Sequence, residues 1–179
     1  MLRTAGDFQG LSIAAADGDI GSVRNLCFDD LTWTIRYLGR EHATRSSRRW
    51  PRASVSVQGD PSLRSARDVT GYYIAARDGD IGHVDDFLVD DRAWAIRYLI
   101  VDTRNWWPGK KVALSPEWIK TVSWTDSRVH VDLQREEIKA APEYDASRPF
   151  EREDEARLFE HYDRRKDSGR RKYWEWEER

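Results

Sequence analysis

The sequence predicts a mainly β protein built on an internal repeat. Residues 2–38 and 63–99 align without a gap at an offset of 61, and about 21 of the 37 aligned positions are identical. In the second copy, apolar residues recur at every second position and an Asp-Gly pair interrupts them. Alternation with period two is typical of strands, and Asp-Gly is typical of tight hairpin turns because glycine tolerates positive φ.

The second copy, residues 62–145, predicts about six short strands. These are Tyr72–Ala76, Ile81–Val89, Trp94–Val101, Lys111–Leu114, Trp118–Trp124 and Arg128–Leu133. Tight turns join most of them and no helical crossover intervenes, so the pairing is predicted to be antiparallel. A sheet so small and so rich in aromatic residues is predicted to curl into a six-stranded β-barrel, because closure removes the strand edges.

The first copy, residues 1–39, offers only about three strands and so predicts a degenerate half-barrel. Residues 40–61 form an Arg/Ser-rich linker. Three strands bury too little apolar surface to stand alone, so the half-barrel must pack on the second copy, pair with another chain or stay loose. Trp33, Ile35 and Tyr37 lie along its last strand and are the candidate edge for a homodimer.

The C-terminal part, residues 146–179, predicts a helix followed by a charged aromatic tail. A short helical turn at Gln134–Ala140 comes before it. Glu151–Arg165 has helix-forming composition, and Leu158, Phe159 and Tyr162 form a narrow apolar stripe for docking.

Composition narrows the class of protein. The chain has 30 Lys and Arg against 32 Asp and Glu, so net charge gives no pull toward nucleic acid or anionic lipid. No apolar run is long enough to span a membrane, and the first residues lack the apolar core of a secretion signal. The single cysteine, Cys27, excludes an internal disulfide. We therefore expect a cytoplasmic protein.

The motifs of the second copy resemble the PRC-barrel. They are Asp-Gly-Asp-Ile-Gly-x-Val at residues 78–84, Trp-x-Ile-Arg-Tyr-Leu-Ile-Val-Asp-Thr at residues 94–103, Gly-Lys-Lys-Val at residues 109–112 and Ser-Pro at residues 115–116. This domain is shared by the cytoplasmic part of the photosynthetic reaction-centre H subunit and by the ribosomal-RNA maturation factor RimM. The similarity is closest to small bacterial proteins with two such barrels in tandem, although here the second half of the first barrel is missing. The resemblance implies a barrel fold and a binding role.

The sequence indicates no enzyme. It contains no nucleophile–base pairing, no phosphate-binding glycine loop and no paired-carboxylate arrangement. The aspartates between Asp78 and Asp91 lack the ligand spacing of a calcium loop, and His83 is not repeated at Ser22. We therefore expect no catalytic residue, no cofactor and no metal, and a non-catalytic adaptor that binds a protein partner.

Three residues of the second copy are the candidate contacts for that partner. Trp106 and Trp107 stand in a Trp-Trp-Pro-Gly turn, and tryptophan is a favoured anchor at protein interfaces. Alternatively, one ring caps the barrel end or packs on the C-terminal helix. Arg97, repeated as Arg36, either contacts the partner or has a structural role beside a ring or a strand aspartate.

Two alternative functions stay open. Basic runs at residues 45–52 and 164–172 suggest an RNA-metabolism accessory protein, although the tail carries about as many acids as bases, which disfavours RNA. The family resemblance alone suggests a peripheral component of a photosynthetic or electron-transfer complex.

Overall fold

The computed structural model describes residues 1–16, 18–41, 62–103 and 109–162. Strands dominate these residues, so the predicted mainly β class is confirmed. None of the helices in this part of the chain is long and apolar enough to cross a membrane.

The first repeat forms a sheet of three strands preceded by a short strand and one helical turn. Its elements are β1 (Leu2–Thr4), α1 (Ala5–Phe8), β2 (Ser12–Ala15), β3 (Gly18–Asp29) and β4 (Ile35–Glu41). Thr4 caps α1, because its Oγ1 accepts a hydrogen bond from the Asp7 amide at 3.1 Å. Both β2 and β4 pair antiparallel with the long strand β3.

The second repeat contains the same elements and continues beyond them. Its elements are β5 (Leu63–Ser65), α2 (Ala66–Val69), β6 (Tyr73–Ala76), β7 (Gly79–Asp90), β8 (Ala95–Asp102), β9 (Lys111–Leu114), β10 (Ile119–Ser123) and β11 (Arg128–Val131). The six strands that the sequence predicts are β6 to β11. They form one sheet in the order β10-β11-β6-β7-β8-β9.

The topology of this sheet corrects one prediction. Strands β11 and β6 pair in parallel, whereas the sequence predicts antiparallel pairing throughout. The reason is the connection between β9 and β10, which runs through the 3-10 turn Pro116–Trp118 and is not a hairpin. Strand β10 therefore does not fold back onto β9. No pairing between described residues joins these two strands, so the described sheet is not a closed barrel.

The two repeats exchange their first strands. Strand β1 of the first repeat pairs antiparallel with β7 of the second, and Leu2 lies opposite Asp90. Reciprocally, β5 of the second repeat pairs with β3 of the first, and Leu63 lies opposite Asp29. Since these pairs differ by the repeat offset of 61, the contact has an approximate twofold symmetry.

The same symmetry continues at the next contact between the repeats. Trp33 and Trp94 both have positive φ, 55° and 51°. The Ile35 amide donates to the Trp94 carbonyl at 2.6 Å, and the Ile96 amide donates to the Trp33 carbonyl at 2.8 Å. The first repeat therefore packs on the second, which is one of the three outcomes that the sequence left open for it.

The C-terminal residues cover one side of the second repeat. Helices α3 (Arg135–Ala140) and α4 (Arg152–Tyr162) follow β11. Tyr162 packs against Trp118 with ring centroids 4.1 Å apart, and Leu158 is buried. The predicted docking stripe of this helix therefore packs on the second repeat, at the 3-10 turn that holds Trp118. Residues 163–179 lie outside the described part of the chain.

Candidate functional site

Strand β4 carries two apolar side chains that the described protein leaves exposed. Tyr37 is 56% exposed and Leu38 is 38% exposed. At the same positions of the second repeat, Tyr98 is 4% exposed and Leu99 is 1% exposed. Successive side chains of a strand point to opposite faces, so Tyr37 and Leu38 lie on the two faces of β4. We call these two exposed residues the β4 surface. It presents to solvent what the second repeat buries.

The covering of β8 explains the difference. Strand β9 pairs with the outer edge of β8, and Leu114 lies opposite Leu99. The C-terminal segment covers Tyr98, whose ring contacts that of Phe150. Among the described residues, no strand pairs with the corresponding edge of β4. An unpaired edge presents backbone donors and acceptors to which another strand can add.

The other two residues of the predicted edge are buried between the repeats. Trp33 stacks on Phe28 with ring centroids 5.2 Å apart and planes 18° apart. Ile35 is also buried. Tyr37 is therefore the residue of this predicted trio that the structure places at the surface. Pairing of two chains through this edge stays a prediction.

Arg97 forms an ion pair within its own repeat. Its Nη2 lies 3.2 Å from Asp90 Oδ2, and Arg36 lies 3.7 Å from Asp29 at the equivalent position. Burial acts to raise the pKa of Asp90, but hydrogen bonds from the Arg92 and Ala93 amides and from Arg97 hold it below its ordinary value. This geometry matches the structural role that the sequence left open for Arg97. Trp106 and Trp107 lie outside the described residues.

A histidine and an aspartate in the first half of β7 lie close to the aspartate that ends β8. His83, Asp85 and Asp102 offer ligand atoms that lie within 4.8 Å of one another. The sequence did not indicate Asp102, although the hairpin register places it directly opposite His83. Lys111 Nζ lies 2.7 Å from Asp85 Oδ2, so this carboxylate already has a cation within the protein. The cluster therefore carries no metal assignment.

A small cavity of about 210 Å³ lies on the approximate twofold axis, lined by Asn25 and by its counterpart Asp86. Asn25 donates to Ser65 Oγ at 2.8 Å and accepts from the Arg67 amide at 3.3 Å. Asp86 accepts from the Phe87 amide at 2.7 Å. Burial raises the pKa of Asp86 above its ordinary value of 3.8, in spite of hydrogen bonds from the Phe87 and Gly6 amides.

The substitution Asp86→Asn is expected to stabilise the protein at neutral pH by about 1 kcal/mol, the size of one net hydrogen bond. Because the pKa is raised in the folded state, the native protein binds more protons than the unfolded chain just above pH 3.8. Stability is then lost as pH rises, and a neutral amide removes that loss. Urea unfolding at pH 7 and at about pH 3 measures the effect.

The gain from Asp86→Asn should disappear at the lower pH, where the aspartate is protonated in both states. Glu160→Gln, which neutralises an exposed carboxylate on α4, is the matched control and should change neither value. An equal gain at both pH values would show that the charge of Asp86 is not the cause.

Comparison with known proteins adds no further assignment. No family model matches the chain, and no curated protein matches it.

Proposed function

We propose that the protein is a non-catalytic module of the PRC-barrel type that binds another protein through the β4 surface. One observation carries this proposal. Tyr37 is 56% exposed, whereas the same residue of the second repeat, Tyr98, is 4% exposed. Tyrosine supplies a large, rigid and amphipathic contact area and is enriched at the energetic centres of interfaces.

The arrangement of the strands supports the proposal. Within the described residues, one edge of β4 is unpaired beside this tyrosine, and strand addition is a common mode of peptide recognition. The order of the six strands in the second repeat is compatible with a barrel-derived fold. The β4 surface is then the place where the first repeat lacks the second half of that fold.

Affinity capture from native lysate tests the proposal. The wild type is compared with Tyr37→Ala/Leu38→Ala and with Trp106→Ala/Trp107→Ala, the latter testing the sequence-predicted contact. Leu31→Ala is the control, since Leu31 is 80% exposed and lies in the turn after β3. We expect a specific protein that the wild type and the Leu31 variant retain and the Tyr37/Leu38 variant loses.

Three other outcomes would contradict it. Retention by the Tyr37/Leu38 variant but not by the Trp106/Trp107 variant would move the contact to the tryptophan turn. Salt-sensitive capture of RNA by all variants would favour the RNA-metabolism alternative. Light scattering that gives twice the chain mass of 21.0 kDa for the wild type, and the single mass for Tyr37→Ala/Leu38→Ala, would identify the contact as a homodimer edge.

A further inference from the structure

We propose that the β4 surface binds an acidic helical segment of a partner protein, headed by an aromatic residue that packs on Tyr37. The inference rests on the proposed function and names the chemistry of the partner. It is drawn from the second repeat, where the equivalent tyrosine is covered by such a segment.

The two tyrosines occupy the same backbone position. In the first repeat Tyr37 lies opposite Cys27, and in the second Tyr98 lies opposite Leu88. Both hairpins also shift register at two places, and the two shifts fall at equivalent residues. Whatever fits against Tyr98 therefore meets the same strand geometry at Tyr37.

The covering of Tyr98 shows which chemistry fits. The Phe150 ring lies 5.4 Å from the Tyr98 ring at 52°, a tilted aromatic contact. The Tyr98 hydroxyl donates to Glu155 Oε1 at 3.0 Å, and burial raises the pKa of this tyrosine. Glu155 lies in the first turn of α4, so one ring and one carboxylate, five residues apart, cover the tyrosine.

An ion pair between Arg148 and Asp154 holds the start of α4 in place. Arg148 donates to both carboxylate oxygens of Asp154, at 2.7 and 2.6 Å. These hydrogen bonds, together with one from the Glu151 amide, lower the pKa of Asp154 to about 2. The recognised segment thus combines an aromatic residue with a helix start rich in acids, which the helix dipole also favours.

A second copy of this chain is not the expected source of the segment. In each chain, residues 148–162 already cover Tyr98. Their release would expose this tyrosine, which is now only 4% exposed. The exchange would cover one tyrosine and uncover another without net gain. We therefore assign the segment to a different protein.

The first repeat offers a partner fewer contacts than the second. In the second repeat Trp118 also packs on Tyr162 at the end of α4. The first repeat has no counterpart of Trp118, because residue 118 lies beyond the repeated part of the sequence. The partner segment therefore need match only the part of residues 148–162 that covers Tyr98.

A labelled peptide with the sequence of residues 148–162 is the probe. Its fluorescence anisotropy is followed on titration with the full-length chain, the Tyr37→Ala and Tyr37→Phe variants, and the Leu31→Ala control. We expect saturable binding to the wild type, with Tyr37→Ala at least about tenfold weaker. Tyr37→Phe keeps the ring and loses the hydroxyl, so its loss should be smaller, about threefold to tenfold. A peptide with alanine in place of Phe150 should not bind.

The decisive quantity is the change in peptide affinity when Tyr37 is replaced. Because Tyr37 is exposed, the variants should keep the wild-type melting temperature, which circular dichroism checks. Binding that survives Tyr37→Ala would show that the peptide displaces the chain's own residues 148–162 from Tyr98, and it would overturn the inference. An absence of saturable binding would overturn it as well. If the peptide fails while a lysate protein is still captured in a Tyr37-dependent way, the proposed function stands and only the partner chemistry is wrong.

Discussion

Gly82→Ala is expected to destabilise the protein by more than about 3 kcal/mol, because β7 and β8 cannot keep their register around an added methyl group. A Cβ at Gly82 would lie 2.2 Å from the carbonyl oxygen of Asp102 and 3.2 Å from the Cα of Thr103. Both are backbone atoms, so no side-chain rotation can relieve the overlap. The φ of Gly82 is +152°, a conformation that L-residues rarely adopt.

Gly71→Ala is the matched control for this substitution. Gly71 also has a positive φ, +92°, but a Cβ added there would meet no atom within 4 Å beyond its chain neighbours. Only the strain of the backbone conformation should appear there, about 1–2 kcal/mol. Denaturant unfolding of both variants separates the two effects. Equal losses at Gly82 and Gly71 would show that the close approach to Asp102 does not contribute.

A chain that begins at Ser62 is expected to lose cooperative unfolding, although it contains six of the seven strands of the larger sheet. Strand β5 would lose its partner β3, and the C-terminal end of β7 would lose its partner β1. Phe87 would also lose the ring of Phe28, whose centroid lies 6.1 Å away and whose side chain is fully buried. Loss of one buried Phe side chain alone costs about 3–5 kcal/mol, a large part of the stability of a small domain.

Fragment complementation provides the control for that truncation. Residues 1–61, added as a separate polypeptide, should restore a cooperative thermal transition to the chain that begins at Ser62. Calorimetry or circular dichroism measures both states. A sharp transition of the truncated chain alone, at the temperature of the full-length protein, would show that the second repeat does not depend on the strand exchange.

The sequence was sufficient to predict the strands of the second repeat. Their period-two alternation and the Asp-Gly turn are local signals, and β6 to β11 lie where those signals place them. The strand exchange could not be predicted in this way. Strands β1 and β5 have three residues each, too few to show a period, and their partners lie in the other repeat.

The candidate site was predictable only in part. Trp33, Ile35 and Tyr37 alternate along the chain and so suggested one face. The positive φ of Trp33 turns the chain before β4 begins, and its ring packs inward on Phe28. The sequence could not show that Tyr37 is exposed while Tyr98 is buried. Tyr98 is covered by a segment that lies about 50 residues farther along the sequence. Alternation reports which side chains share a face but not what covers that face.

The reciprocal contact between the repeats also bears on how such a chain can change by duplication and loss. A chain with a single repeat could make the contacts of β1 with β7 and of β5 with β3 only by pairing with another copy of itself. Joining two repeats in one polypeptide brings that association inside the molecule. The elements that the two repeats share are then required by the neighbouring repeat, whereas β9, β10 and β11 belong to the sheet of the second repeat. A repeat without such an extension can therefore still fold on its neighbour, and the surface that stays uncovered on it, here at Tyr37, is one from which a new interaction can evolve.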